Sequence, residues 1–212
     1  MENVYYINLD SRPDRRKQVE NELNALSWKY QRFAAIKRNP GCIGCGASHL
    51  AVLKMAKQKN LPYVVILEDD ITFKNHKRVN NKLQRIFAAK TNFDVLLLAG
   101  NIIGTNNRKI NNDLIKITAA QTTTGYIVRR HYYNTLINNF KNGLQRLRPR
   151  KIINRFIIDQ HWKLLQPKHK WLCLWPILAY QRASYSDIEQ KKVDYHKLMN
   201  QVKFRKRPAF QQ

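Results

Sequence analysis

Acidic residues are what this 212-residue chain lacks: Asp and Glu number 14 against 39 Lys and Arg, a formal net charge of +25. That balance excludes an acidic buffer-like protein and a halophile-type surface. It admits nucleic acid, an anionic membrane or a phosphate-bearing small molecule as partner without choosing among them. Cysteine is scarce too: Cys42, Cys45 and Cys173 are the full set. A small odd number argues against a disulfide framework and fits a reducing compartment. Long apolar runs are missing. The longest, Val64 to Leu67 and Val95 to Ala99, are far too short to span a bilayer. Met1-Glu2-Asn3 leads straight into Val4-Tyr5-Tyr6-Ile7, without the basic and apolar regions of a signal peptide. The expectation is a soluble, cytoplasmic protein.

What is present supports a folded domain. Hydrophobic residues make up 43% of the chain, enough for a core at a length that suits one domain. Asn runs such as Asn80-Asn81 and Asn111-Asn112 give the flavour of an AT-rich genome, so part of the basic excess is compositional. Val4 to Asn8 reads as a first strand. Ser11 is placed as the N-cap of a helix with Asp14 three residues on, and Val19, Leu23 and Leu26 follow at helical spacing. Trp28 to Ala35 is a second strand. Asn39 to Gly46 holds three of the seven glycines and reads as a loop that turns tightly or approaches something closely. A helix is expected over Ala47 to Lys59. Tyr63 to Leu67 is a continuous apolar run, the mark of a strand buried on both faces, and it ends abruptly in Glu68-Asp69-Asp70.

Beyond the triplet, Val79 to Ala89 reads as a helix and Val95 to Ala99 as a strand closed by Gly100-Asn101. Leu114 to Thr118 and Gly125 to Val128 read as short strands, His131 to Phe140 and Ile157 to Leu165 as helices, and Trp171 to Tyr180 as strand broken at Pro176. From Ser184 onward irregular structure is expected. Strands alternating with helices give an α/β architecture with a mostly parallel sheet flanked by helices.

Three of fourteen acids are adjacent, directly after a buried strand. Ligands of open α/β sheets bind at the carboxyl ends of strands. Packed carboxylates repel one another, so Lys, Arg or a divalent metal must offset them. Carboxylate oxygens suit hard ions such as Mg²⁺ or Mn²⁺, which neutralise phosphate leaving groups. A solvated turn paired with surface Lys is the alternative.

Tyr6-Ile-Asn-Leu-Asp10 with Arg12 and Asp14-Arg15, then Gly44-Cys-Gly-Ala-Ser48-His49-Leu50, then Val65-Ile-Leu-Glu-Asp-Asp70 resemble glycosyltransferase family 25. So do Thr123-Thr-Gly-Tyr126, Asp159, Pro176 to Gln181 and Ser186-Asp187-Ile188. That family contains lipopolysaccharide and collagen galactosyltransferases and giant-virus relatives. The resemblance implies a GT-A-like fold over residues 1–190, with 191–212 as a basic C-terminal tail. It also implies a UDP-sugar donor (typically UDP-galactose), a hydroxyl acceptor on a glycan or protein, Mn²⁺ or Mg²⁺, and inversion at the anomeric carbon. For a viral member the location would be the host cytoplasm or the virion.

Within that picture Asp70 is the leading metal ligand and a catalytic residue, and Glu68 and Asp69 bind metal or ribose hydroxyls. Asn8, Asp10, Arg12 and Arg15 lie where uridine and ribose sit, and an Arg there can pair a phosphate bidentately; a solvated helix face is the other reading of Arg15. Gly46, Ser48 and His49 belong to a loop feeding a helix N-terminus and suited to donor contact. Ser48 also reads as a plain N-cap, and His49 as a core histidine or a metal neighbour. Asp159, apolar on one side and aromatic on the other, is a candidate base with a raised pKa, or else a capping or salt-bridging Asp. Asp94 reads as structural. Gln181 and Ser186-Asp187 would close over the donor.

Cys42-x2-Cys45-x3-His49 has zinc ligand types, but a structural site needs four ligands and only Cys173 remains, far away in sequence. The rival class is a nucleic-acid-binding protein, resting on the +25 charge, on Arg146 to Lys151 and on the basic tail. No nucleic-acid module accompanies them, and no specific nucleic-acid partner is expected. Basic patches would instead touch an anionic glycan or a membrane surface.

Overall fold

The structure is a computed structural model. It describes residues 1–148, 152–186, 191–194, 196–199 and 201–204. In chain order the elements are β1 (Val4–Asn8), α1 (Pro13–Ala25), β2 (Tyr30–Ala34), α2 (Gly41–Gln58), β3 (Tyr63–Glu68), β4 (Ile71–Phe73), α3 (His76–Ala88), β5 (Val95–Ile102) and β6 (Arg108–Lys109). Then come β7 (Leu114–Lys116), β8 (Ala120–Arg129), α4 (Tyr133–Arg146), α5 (Ile158–His161), β9 (Trp171–Leu174), β10 (Ala179–Gln181), β11 (Ser184–Ser186), β12 (Lys191–Val193) and α6 (His196–Met199).

Eight strands form one sheet in the order β2-β1-β3-β8-β5-β9-β7-β6. The pairings put six strands in one direction, with β8 and β7 against them. Alternate side chains build two cores. Tyr5, Ile7, Val64 and Ile66 pack with Val52 and Leu53 of α2 and Leu136 and Phe140 of α4. Val4, Tyr6, Val65 and Leu67 pack with Val19 and Leu23 of α1 and Val79 and Leu83 of α3. Helices therefore cover both faces, and β3 has no solvated side, which is why it reads as an unbroken apolar run. The chain steps from β1 out to β2 and back across to β3, so α1 and α2 lie on opposite faces. That reversal opens a crevice at the carboxyl ends of β1 and β3.

Several elements depart from the sequence expectation, each for a physical reason. The glycine-rich segment is helical: α2 starts at Gly41 behind an extended Pro40, and Ser48 lies inside it rather than capping it. None of the described glycines has a positive φ, so close approach, not tight turning, explains them. A Cβ on Gly44 would stand 2.4 Å from the Ile36 carbonyl oxygen. Ser11 does not cap α1 either. The N-cap is Arg12, without a side-chain cap, and Asp14 is held by the Arg12 guanidinium at 3.0 Å. β5 and β8 run past their expected ends because they pair with each other as far as Ile102 and Ala120. In the region expected to be irregular, β11 pairs with β12, Val193 and Met199 are buried, and Phe204 meets the Trp175 ring edge-on at 5.1 Å. Asp94 is structural as expected: its carboxylate accepts from His131 and from the Lys170 amide, both at 2.7 Å.

Candidate active site

The crevice at the strand ends is a cleft of about 480 Å³. Its walls come from the turn after β1, the segment between β2 and α2, the first turns of α2, the end of β3, and β10. Of the residues selected from sequence, Arg12, Arg15, Ser48, His49, Glu68, Asp69, Asp70 and Gln181 line it.

The acidic triplet forms one wall. Asp69 and Asp70 are buried. Asn8, behind the cleft, donates from Nδ2 to Asp69 Oδ2 at 2.7 Å. Arg15, at the first turn of α1, places Nη1 2.9 Å from Asp69 Oδ1 and 3.3 Å from Asp70 Oδ2. The cation that the repulsion demands is therefore supplied, at least in part, by Arg15; its reading as a solvated helix face is overturned. Gln181 arrives because β10 pairs antiparallel with β4, Gln181 opposite Ile71. Its Nε2 donates to Asp70 Oδ2 at 3.1 Å.

Burial pushes the Asp70 carboxyl up to about 7; the Glu68 charge adds to the rise and Arg15 opposes it. Asp69 is raised by burial against the pull of Arg15 and Asn8. Asp70 Oδ1 is buried and finds no hydrogen-bond partner among the described residues. A buried carboxylate oxygen left bare is costly. Asp70 lines a cleft whose other carboxylates are adjacent, and this donor set fits a hard divalent ion.

Glu68 faces a second group. Its Oε1 accepts from the Thr123 hydroxyl at 2.6 Å and lies 3.3 Å from His49 Nε2 and 3.9 Å from Cys45 Sγ. His49 is fully buried and its Nδ1 meets the Tyr126 hydroxyl at 2.9 Å. A carboxylate only accepts, so Nε2 carries a proton toward Glu68, and in the neutral ring Nδ1 then accepts from Tyr126. Burial raises the Glu68 carboxyl, but His49, Thr123 and Arg15 outweigh it and hold the group below its ordinary value.

Three selected residues stand elsewhere. Asp10 points outward and pairs with Arg32. Gly46 faces away from the cleft: a Cβ there would meet Leu144 and Ile158 at 2.8 and 2.9 Å. It is a helix-packing glycine, and Gly41 and Gly44 are the glycines that line the cleft. Ser48 Oγ donates to the Gly44 carbonyl and accepts from the Ile36 amide, both at 2.8 Å, which ties the cleft wall to α2. Asp159 sits at the start of α5, outside the cleft lining. Its Oδ2 accepts from the Thr122 amide at 3.1 Å, and Thr122 holds a φ of 69°, unusual for a β-branched residue. Burial raises the Asp159 carboxyl, the Thr122 amide opposes this, and the Glu68 charge adds to the rise.

Sequence reasoning missed Lys37 and Arg38, which line the cleft. Their only signal was a basic pair directly before the glycine-rich segment. Arg146, part of the basic segment, lies over the Phe156 ring at 5.2 Å. Pro149, Arg150, Lys151, Asp187 and Ile188 lie outside the described residues, as does the tail from 205 onward. No helix among the described residues is long and apolar enough to cross a membrane.

The sequence model of glycosyltransferase family 25 (LPS biosynthesis protein) matches residues 39–147, just over half of the chain. The chain belongs to glycosyltransferase family 25. The match takes in the first turns of α2, the triplet and Thr123 to Tyr126; the cleft residues of β1, α1 and β10 stand on geometry. No curated protein matches the sequence. Among solved structures, a glycosyltransferase involved in the glycosylation of the major capsid of PBCV-1 superposes with a TM-score of 0.52 at 9% identity, over 89% of this chain and 97% of that one. A Drosophila β-1,4-galactosyltransferase 7, complexed with manganese, UDP-Gal and xylobiose, gives 0.50 at 8% identity, over 97% and 82%. These likenesses identify the fold as GT-A. Family and fold together support glycosyl transfer.

Proposed function

We propose that this family 25 protein moves a hexose, galactose or glucose, from a UDP-sugar to a hydroxyl of a glycan or protein, with inversion and with Mn²⁺ or Mg²⁺ bound. The observation that carries the reading is the bare, buried Asp70 Oδ1 at the carboxyl end of β3. Asp70 holds the ion in this proposal, with Glu68 and Asp69 beside it contributing to the ion or to ribose hydroxyls. When bound, the ion neutralises the charge that builds on the departing diphosphate. The Drosophila structure, with manganese and UDP-Gal on the same fold, supports that pairing.

The chain's own groups do the rest. Arg12, Lys37 and Arg38 surround an anionic donor with positive charge, and Arg15 keeps the triplet ordered until the donor arrives. Gln181 holds the Asp70 carboxylate in one orientation. Inversion requires a base on the acceptor side. Asp159 fills that role in this proposal, outside the donor cleft and with a carboxyl raised by burial.

The test is calorimetry of UDP with Mn²⁺ or with chelator, beside a UDP-release screen of UDP-Gal, UDP-Glc and UDP-GlcNAc. Tight binding only with metal is expected, and equal affinity in chelator would overturn the metal assignment. Asp70→Asn should lower transfer about 100-fold or more, the scale of losing several kcal/mol of charge stabilisation, while circular dichroism shows an intact fold.

A further inference from the structure

Cys45 and His49 stand one helical turn apart on the same face of α2, and the end of β3 brings Glu68 to them. Their three donor atoms lie within 4.8 Å of one another, and all three residues line the cleft. We propose that Cys45, His49 and Glu68 form a site for a thiolate-preferring divalent cation such as zinc, with its fourth position open to the cleft. The earlier difficulty with zinc was a missing ligand. The structure puts Glu68 in the place of Cys42, and an open site needs three protein ligands rather than four.

Two of the three donor separations lie close to those such an ion imposes. Tetrahedral zinc, with bonds of about 2.3 Å to sulfur and about 2.0 Å to nitrogen or oxygen, holds nitrogen and oxygen about 3.3 Å apart and sulfur and oxygen about 3.5 Å apart. His49 Nε2 is 3.3 Å from Glu68 Oε1, and Cys45 Sγ is 3.9 Å from the same oxygen. Two of the three inner ligands have outer partners, as metal-bound groups do: Tyr126 on His49 Nδ1 and Thr123 on Glu68. Because a phenol hydroxyl both donates and accepts, Tyr126 tolerates the tautomer change that frees Nε2 for the ion. A thiolate and a carboxylate together neutralise a divalent cation. Binding releases the Cys45 proton. The ion shares Glu68 with the acidic triplet, so it lies beside the proposed Mn²⁺ position but differs in ligand chemistry.

The experiment titrates the full, metal-free chain with Co²⁺ alone, without nucleotide. One equivalent should give thiolate-to-cobalt charge-transfer absorption and an intense four-coordinate visible band, displaced by Zn²⁺. Cys45→Ser should abolish the charge-transfer band, Cys42→Ser and Cys173→Ser should keep it, and Tyr126→Phe should weaken binding about 10-fold. Absence of the band in the unaltered chain, or its survival in Cys45→Ser, overturns the proposal. X-ray absorption at the zinc edge of the unaltered chain gives a reading that needs no variant: one sulfur among the ligands supports the site, none overturns it. UDP binding with Mn²⁺ is measured separately, so failure of either reading leaves the other standing.

Discussion

Arg15 extends from the first turn of α1 to place Nη1 2.9 Å from Asp69 Oδ1. The same nitrogen lies 3.3 Å from Asp70 Oδ2. Two buried carboxylates thus share one guanidinium. Arg15→Met removes it. We expect the variant to unfold several degrees lower in chelator, because breaking a buried ion pair costs about 3–5 kcal/mol. Added Mn²⁺ should restore much of the loss, read as Tm by differential scanning fluorimetry. An unchanged Tm in chelator would remove Arg15 from this role.

Asp159→Asn separates the acceptor side from the donor side. Loss of a general base lowers turnover by about 10²- to 10⁴-fold. UDP affinity should stay within about twofold, since Asp159 lies outside the cleft lining. Lost UDP binding in calorimetry would instead make it a donor-site or structural residue.

The two neighbouring glycines of α2 should fail differently. Gly46→Ala presses on side-chain methyl groups of Leu144 and Ile158. Overpacking of this kind costs about 1–3 kcal/mol and should leave UDP affinity unchanged. Gly44→Ala meets backbone, the Ile36 carbonyl and the Arg38 amide nitrogen, and so moves the cleft wall. Weaker UDP binding is expected from Gly44→Ala alone, and calorimetry on both variants checks it.

Lys82 is buried, and its ammonium donates to Asp113 Oδ1 at 2.6 Å and to the Asn112 and Trp175 carbonyls. Arg85 and Lys82 hold the Asp113 carboxyl well below the ordinary carboxylate range. A group depressed in the folded state stabilises above its unfolded value, about 3.9 for Asp, and that stability is lost as the pH falls through the folded value. Asp113→Asn should therefore lower stability at neutral pH and flatten its decline below about pH 4. Asp113→Ala should cost about 2 kcal/mol at pH 7, or about 4–8 °C in Tm, less than a fully broken buried pair because two carbonyls remain on Lys82. Thermal melts between pH 2 and 8 test both, with pH stated to about 0.1 unit.

The sequence by itself determined the strands β1, β2, β3, β5, β7, β8 and β9, the inward face of α1 and the position of the triplet. Those features are written in neighbouring residues. Val4 to Asn8 and Tyr63 to Leu67 are runs of strand formers, Val19, Leu23 and Leu26 recur at helical spacing, and Glu68-Asp69-Asp70 interrupts a buried run in a chain poor in acids. Only the tertiary structure decided which side chains meet. Gly44 and Gly46 read as a loop because glycine disfavours helix interiors; that cost is outweighed by close packing against Ile36, Leu144 and Ile158, which local pattern does not encode. Arg15 reaches Asp69 because β1 and β3 are adjacent and α1 leaves from the end of β1. Gln181 reaches Asp70 through the β4–β10 pairing, and Cys45 and His49 reach Glu68 because α2 packs along β3. Spacing along a chain fixes the period of an element and the face it presents, whereas the crossovers between strands fix which faces converge.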